Sequence, residues 1–251
     1  TENVGNQMSA PLLNLSADNP LSLVAALRRI DITVPHITEG RTSQHRERYL
    51  MARFVATEAE SSLLRYPLTV EHRDKPDFVL ERRGVPIGIE CVEAVPKEWY
   101  EIEAIRERKY PDALNWGHRF RPGEKVFSLK EKDEIASGSR AGPPWVGDMA
   151  ERQWAEALEY FIRLKTDKLR SGNYGEFSKM WLLIQDEWRV PLYSYEDIRK
   201  AATFCISLIG DLRVEPCFSS IFICTRSWLL TLGSNEVTIK PIRDIWRDDR
   251  P

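Results

Sequence analysis

The sequence predicts a mixed α/β fold in which a central sheet is flanked by helices. Two stretches, 43–65 and 150–170, repeat apolar residues with the 3.6-residue period of a helix. Short apolar runs rich in β-branched residues stand between and after them, as is typical of buried strands. Because helices and strands alternate along the chain, a mixed sheet covered by helices is the architecture that their order favours.

The 251 residues divide into three parts by their patterning. Residues 1–42 have little periodicity and predict an N-terminal arm with one short helix that begins after Asn19-Pro20. Residues 43–242 predict a single α/β domain, and 243–251 predict a polar tail. This length is compatible with one large domain that carries a substantial insertion.

Within the predicted domain, the first helix is expected to end before Pro67, because proline cannot continue a helix interior. Residues 77–81 and 85–95 then predict two strands of a β-hairpin. After the second long helix come the buried strands 180–185 and 219–225, with a helix between them. The Gly- and Pro-rich stretch before the helix 150–170 shows neither a helical nor a strand period. A loop insertion is therefore expected there, at about 106–148.

The insertion begins with a basic and aromatic segment, 106–132, which holds eight Lys or Arg residues against four acids. Basic side chains contact phosphates and aromatic rings stack on exposed bases. We therefore predict contacts with nucleic acid at Arg119, Arg121 and Lys125 of this segment. A fourth contact is predicted at Lys168, in the helix 150–170. The alternative is a charged surface loop that its aromatic side chains anchor.

Composition excludes several classes of protein. With 36 Lys and Arg against 38 Asp and Glu, the formal net charge is −2, which argues against a small DNA-binding module that is basic overall. A local basic patch remains compatible with this charge. The four cysteines lack CxxC or zinc-finger spacing and are expected to be reduced thiols. HExxH, GxSxG and P-loop motifs do not occur, which argues against common zinc proteases, α/β-hydrolases and P-loop NTPases.

The expected compartment is the cytoplasm, without a membrane partner. No run approaches the roughly 20 apolar residues of a transmembrane helix. The first eleven residues are polar and lack the apolar core of a secretory signal.

Two acidic residues of the predicted hairpin indicate a chemistry. Asp77 begins the first strand, and Glu90 lies inside the otherwise apolar second strand. Carboxylates that converge in this way suit Mg²⁺ or Mn²⁺, which can polarise a phosphodiester and acidify a bound water. A third oxygen could come from Glu58 on the preceding helix, with Glu60 as the competing choice, or from Glu93.

These residues resemble the motif of the PD-(D/E)XK nuclease superfamily. Pro76-Asp77 matches the PD half, Glu90-Cys91-Val92 matches the (D/E)XK half, and Glu58 matches the acid of the leading helix. The order helix, hairpin, helix, strand is also similar to that family's core. The resemblance implies a restriction-endonuclease-like core in which the carboxylates bind a metal ion and a lysine aligns or activates the attacking water.

The chain departs from the motif at Val92, which stands where the family has its lysine. Divergent members of the superfamily carry this lysine on a neighbouring helix. Lys165 and Lys168 share a face of the helix 150–170. Lys165 is the better candidate, because it lies on the same side as Leu158 and Ile162.

The leading hypothesis is a divergent nuclease that hydrolyses DNA with Mg²⁺ or Mn²⁺, with a homodimer as a possible assembly. Asp77 and Glu90 would hold the metal, assisted by Glu58 or Glu93, and Lys165 would be the catalytic lysine. A second hypothesis is an inactive nuclease fold that serves as a nucleic-acid- or protein-binding module. A third is an unrelated α/β binding protein in which the motif is accidental.

Overall fold

A computed structural model of the chain describes residues 12–36, 39–113, 118–124, 126–172, 174–175, 177–210, 217–233 and 236–247. Within these ranges the protein is a mixed α/β fold with six helices and one eight-stranded sheet, whose strands follow one another in chain order. The helices are α1 (Pro20–Arg28), α2 (Ser43–Glu58), α3 (Trp99–Lys109), α4 (Leu129–Ala136), α5 (Met149–Ser171) and α6 (Tyr195–Ile209). The strands are β1 (Leu15–Ala17), β2 (Leu68–His72), β3 (Phe78–Arg82), β4 (Val85–Ala94), β5 (Met180–Asp186), β6 (Ser220–Cys224), β7 (Trp228–Leu232) and β8 (Val237–Pro241).

The sheet mixes antiparallel and parallel pairs. Strands β1 to β4 form an antiparallel meander, and β6 and β7 form a hairpin. Strand β5 is parallel to β4, because the backbone N–H of Gly88 donates to the carbonyl of Lys179 at 3.1 Å and that of Glu187 donates to the carbonyl of Ala94 at 3.0 Å. Residue numbers therefore rise together along both strands, and the predicted mixed sheet is confirmed.

The chain forms two compact units. The first contains residues 1–91, 174–183 and 241–251, and the second contains 92–173 and 184–240.

In the first unit, α2 packs its buried side against β2–β4. His72 of β2 is hydrogen-bonded to Glu47 of α2, and Phe54 of α2 contacts Trp181 of β5 with ring centroids 6.3 Å apart. The helix ends at Glu58, earlier than the predicted end before Pro67. Ser61 explains the early end, because its N–H donates to the Glu58 carbonyl and its Oγ accepts from the Leu63 N–H, so a serine turn replaces the next helical turn.

Both ends of the chain contribute more to this unit than the sequence predicted. The predicted N-terminal arm contains strand β1, which pairs with β2 while Leu13 and Ala17 are buried. The predicted polar tail is anchored as far as Trp246, because Arg243 pairs with Glu60 at 2.9 Å and the Trp246 indole donates to the Leu27 carbonyl. These contacts join segments that lie far apart in sequence, so local patterning did not predict them.

His72 ties three segments together and is a test of this packing. Its Nε2 lies 3.0 Å from Glu47, its backbone N–H donates to Asn14, and its ring stacks on Phe78. We expect His72→Phe to lower the free energy of unfolding by about 1–3 kcal/mol, because the half-buried Glu47 carboxylate loses its hydrogen bond. Glu47→Gln is the control for denaturant unfolding, since it retains a polar partner for the ring. Equal stability of His72→Phe and the wild type would contradict this role.

In the second unit, the 23-residue α5 supplies a core of Trp154, Leu158 and Ile162, all of which are 0% exposed. The predicted loop insertion at about 106–148 contains a helix, α4, which the sequence analysis missed. Ser128 and Glu131 form a capping box at its start, and Ile135 is buried. This short capped helix falls below the length at which periodicity identifies a helix.

Candidate functional site

Asp77 and Glu90 lie next to the last residue pair of the β3–β4 ladder. Phe78 pairs with Ile89, so the next pair beyond the end of β3 is Asp77 with Glu90. The Asp77 carbonyl accepts from Arg73 on the β2 side, so Asp77 and Glu90 do not exchange backbone hydrogen bonds. In such non-hydrogen-bonded pairs the Cα atoms lie about 4.5 Å apart and both side chains leave the same face.

A backbone donor orients the Asp77 carboxylate next to Glu90. The N–H of Cys91 donates to Asp77 Oδ2 at 2.6 Å. In a regular ladder this N–H would meet the position of Pro76, beyond the end of β3, and the Asp77 side chain takes over as acceptor. The contact holds the carboxylate beside the middle of β4.

Both acids are withdrawn from solvent. Glu90 is 1% exposed, and Asp77 is half-buried. A buried carboxylate requires hydrogen bonds or a positive charge to offset its lost hydration. Like charges directly opposite each other also destabilise a sheet. Such local costs are typical of functional sites.

Glu58 is the last residue of α2 and is 1% exposed, and its role as a third ligand of this pair stays a prediction. The described contacts of α2 lie on the sheet face that carries His72 and Phe78, whereas strand alternation points Asp77 and Glu90 to the other face. The competing acid, Glu60, is paired with Arg243.

Glu93 and Val92 are distinguished by the same alternation. Val92 follows Glu90 by two residues and shares its side of β4, as the family's lysine would, but it carries no donor. Glu93 points to the opposite side and lines a cavity of the second unit. Strand alternation thus separates Glu93 from Glu90, and the role of Glu93 as a metal ligand stays a prediction.

Lys165 and Lys168 both lie in the last third of α5, in the second unit. Lys165 is half-buried and Lys168 is exposed. This difference favours Lys165 as the residue that could serve chemistry, and its role stays a prediction.

The predicted basic segment is only partly available for a ligand. Lys132 is buried in an ion pair with Glu98, Lys109 pairs with Asp133 at 2.7 Å, and Arg106 pairs with Glu103 at 2.6 Å. Arg119 and Arg121 instead line an open cleft of about 800 Å³. Lys125 lies outside the described residues.

We call this cleft the arginine cleft. Among the described residues, five arginines and two glutamates, Glu156 and Glu159, line it. The five are Arg119, Arg121, Arg140, Arg152 and Arg163. Three of them lie outside the segment that the sequence singled out, because the fold gathers them from α5 and from the loop that follows α4. These three arginines already have an acidic partner: Arg140 pairs with Glu131, Arg152 with Asp148 and Arg163 with Glu159.

A second titratable site was missed by the sequence analysis. Asp186 ends β5, where its Oδ2 accepts from the Trp154 indole at 2.9 Å and its Oδ1 accepts from the Trp188 N–H at 3.1 Å. Burial raises the pKa of Asp186 to about 7, although these two hydrogen bonds favour the charged carboxylate. The only signal in the sequence was an acid directly after the apolar run MWLLIQ.

Asp186 predicts a fall in stability with rising pH. The unfolded carboxyl loses its proton near its ordinary pKa of 3.8, whereas the folded one keeps it up to about 7, so the unfolded state is increasingly favoured between these values. We expect the wild type to lose on the order of 2–3 kcal/mol relative to Asp186→Asn across this window, less than the whole shift because the side chain keeps some contact with water. Denaturant unfolding at pH values across the window measures this difference. Parallel pH profiles of the two proteins would contradict the raised pKa.

The described residues contain no group of three or more His, Cys, Asp or Glu side chains arranged to hold a metal ion. In the same part of the chain, no helix is both long and apolar enough to cross a membrane. Comparison of the chain with known protein families, with curated proteins and with solved structures gives no match.

Proposed function

We propose that this protein is a metal-dependent nuclease that hydrolyses phosphodiester bonds of DNA. The observation that supports the proposal is the register of β3 and β4, whose last pair is Phe78 with Ile89, so that Asp77 and Glu90 come next on the two strands. The Cys91 N–H orients the first of these carboxylates, and the second is withdrawn from water. Paired acids of this kind are the feature that a hard cation requires of a protein.

The order of elements supports the same proposal. Helix α2 is followed by the meander β2–β4 and, after the two shorter helices α3 and α4, by α5 and by β5, which is parallel to β4. A restriction-endonuclease-like core has the same order of helix, antiparallel strands, helix and strand. Asp77 and Glu90 occupy the positions that this resemblance gives to its metal ligands.

The donor set fits Mg²⁺ or Mn²⁺. Mg²⁺ keeps several of its waters and is commonly held by one or two carboxylates together with substrate phosphates, so two acids suffice without a third protein ligand. When bound, such an ion polarises the phosphoryl oxygen and lowers the pKa of a bound water. Asp77 and Glu90 would hold it.

The remaining catalytic step falls to Lys165. In the hydrolysis, a water oxygen bonds to phosphorus, the ester P–O bond breaks, and the leaving oxygen gains a proton. The Lys165 ammonium would orient the water or stabilise the charge that develops on the phosphate. It would thereby take the role of the motif lysine, whose position Val92 occupies.

The direct test is cleavage of plasmid and single-stranded DNA by the purified wild-type chain. We expect products with Mg²⁺ or Mn²⁺ and none in EDTA. Cleavage that is equal in EDTA and in either metal would contradict a metal-dependent mechanism.

Val92 favours a second candidate, a nuclease fold that binds nucleic acid or protein without cleaving. Titration with Mn²⁺ in a calorimeter separates the two, because a catalytic site must bind the ion in the wild type and lose it in Asp77→Asn. A wild type that binds DNA, takes up no Mn²⁺ and never cleaves would establish the binding module in place of the nuclease.

A further inference from the structure

The arginine cleft is built to hold its cations in place. The guanidinium of Arg119 lies 4.1 Å from the ring centroid of Trp145, and that of Arg152 lies 4.2 Å from the ring of Phe204. Arg119 also donates to the carbonyl of Pro144. Arg152 also pairs with Asp148 at 2.9 Å, so a phosphate there would share or displace that carboxylate. Arginines stacked on rings lose less freedom when they bind an anion, which favours binding of phosphate in the cleft.

An aromatic cavity of about 510 Å³ adjoins the arginine cleft. Its aromatic lining residues include Phe120, Phe127, Phe161 and Trp188, and three acids, Glu93, Glu98 and Glu124, line it as well. The rings of Phe161 and Trp188 meet edge to face with centroids 6.2 Å apart. Its volume lies within the roughly 300–1,000 Å³ of small-ligand pockets. It is therefore large enough to admit a flat ring such as a nucleobase.

The two cavities share a wall. Arg121, Pro122 and Tyr160 line both. The loop reaches Tyr160 closely because Gly123 has a φ of +69°, and a Cβ on it would lie 3.3 Å from the Tyr160 ring. A cationic surface and an aromatic surface thus stand on the two sides of one short loop.

This arrangement offers separate binding surfaces for an anionic group and for a flat ring. Phosphates are attracted to arginines, whereas bases stack on aromatic rings only when they are not paired inside a duplex. An acidic peptide would satisfy the cations but would leave the aromatic cavity without a matching group. Duplex DNA would offer phosphates and no exposed base.

We propose that the second unit binds single-stranded DNA, with backbone phosphates in the arginine cleft and an unpaired base in the aromatic cavity. This inference deepens the proposed nuclease function and rests on it for the choice of nucleic acid. It assigns the substrate class as single-stranded DNA or the unpaired end of a duplex.

Binding in EDTA tests the inference without any cleavage. Fluorescence anisotropy would compare a labelled single strand of about 12 nucleotides with the matching duplex, at several salt concentrations. We expect the single strand to bind at least about tenfold more tightly, because stacking contributes about 1–3 kcal/mol for each base. An RNA strand and a polyglutamate competitor complete the set.

Two variants separate the two cavities. Arg119→Ala with Arg152→Ala should weaken binding and reduce the slope of log K against log salt by about 0.7 for each lost phosphate contact. Phe161→Leu should weaken single-strand binding about tenfold at an unchanged slope, since it removes a stacking surface and no charge. Arg199→Ala is the control, because this exposed arginine of α6 pairs with Glu196 and lines neither cavity.

Several outcomes would overturn the inference. They are equal binding of duplex and single strand, wild-type affinity in Phe161→Leu when its circular dichroism confirms folding, tighter binding of RNA, and full displacement of DNA by polyglutamate. Metal-dependent cleavage that persists alongside any of these results would leave the proposed nuclease function standing and remove only the assigned substrate class. Tight single-strand binding without cleavage would support single-stranded DNA as the ligand and would contradict the proposed nuclease function.

Discussion

Glu90→Gln is expected to reduce metal-dependent DNA cleavage at least about a thousandfold. Glutamine keeps the size of the buried side chain and removes its negative charge. Asp77 then remains as the only carboxylate of the pair, and the attraction of the pair for a divalent cation falls by about half. The polarisation that a bound cation gives to a phosphate is worth several kcal/mol, which corresponds to this loss in rate. Initial cleavage rates at saturating Mn²⁺ measure the effect.

Glu81→Gln is the matched control for this variant. Glu81 belongs to β3 of the same meander but is exposed and lies four residues beyond Asp77. It should cleave at the wild-type rate. Normal cleavage by Glu90→Gln, together with unchanged Mn²⁺ affinity, would remove Glu90 from the site.

Lys165→Met is expected to lower the cleavage rate about a hundred- to a thousandfold. One preorganised group that stabilises transition-state charge is worth about 3–4 kcal/mol. Methionine keeps most of the aliphatic stem, so the half-buried position in α5 remains filled and folding should be retained. Single-turnover cleavage and DNA binding, measured on the same preparations, separate a loss of chemistry from a loss of binding.

Lys168→Met tests the position on the helix. Lys168 is exposed and lies one turn further along α5 than Lys165. The Lys168→Met variant should retain cleavage. If Lys168→Met fails to cleave while Lys165→Met cleaves normally, the catalytic lysine is one helical turn from the proposed one. If both variants cleave normally, α5 supplies no catalytic lysine.

The parts of the molecule that the sequence predicted are those coded by local patterns. The hairpin strands and the position of Asp77 before the first of them follow from residues that are close in the chain. The spacing of 13 residues between Asp77 and Glu90 was sufficient to predict that the two carboxylates lie near each other on neighbouring strands, because a short turn fixes the register. The long helix α5 was visible from its period.

Other features depend on distant contacts that no local pattern contains. Arg140, Arg152 and Arg163 reach the arginine cleft only through the packing of the second unit. The raised pKa of Asp186 depends on its burial beside Trp154, a residue 32 positions away. Helix periodicity fixes the face of α2 that is buried but not the direction in which the helix crosses the sheet, so the sequence could not decide between Glu58 and Glu60 as a third ligand.

The parallel pairing of β4 with β5 has a consequence for synthesis on the ribosome. Gly88 donates to Lys179, so the meander β2–β4 emerges 91 residues before the partner of its last strand. At about 5–20 residues per second, this strand waits roughly 5–20 s with its hydrogen-bonding edge uncovered. During that interval the nascent chain exposes an apolar edge of the kind that chaperones recognise and that seeds aggregation. The two charged residues of β4, Glu90 and Glu93, would then act as gatekeepers that keep this edge soluble until β5 arrives.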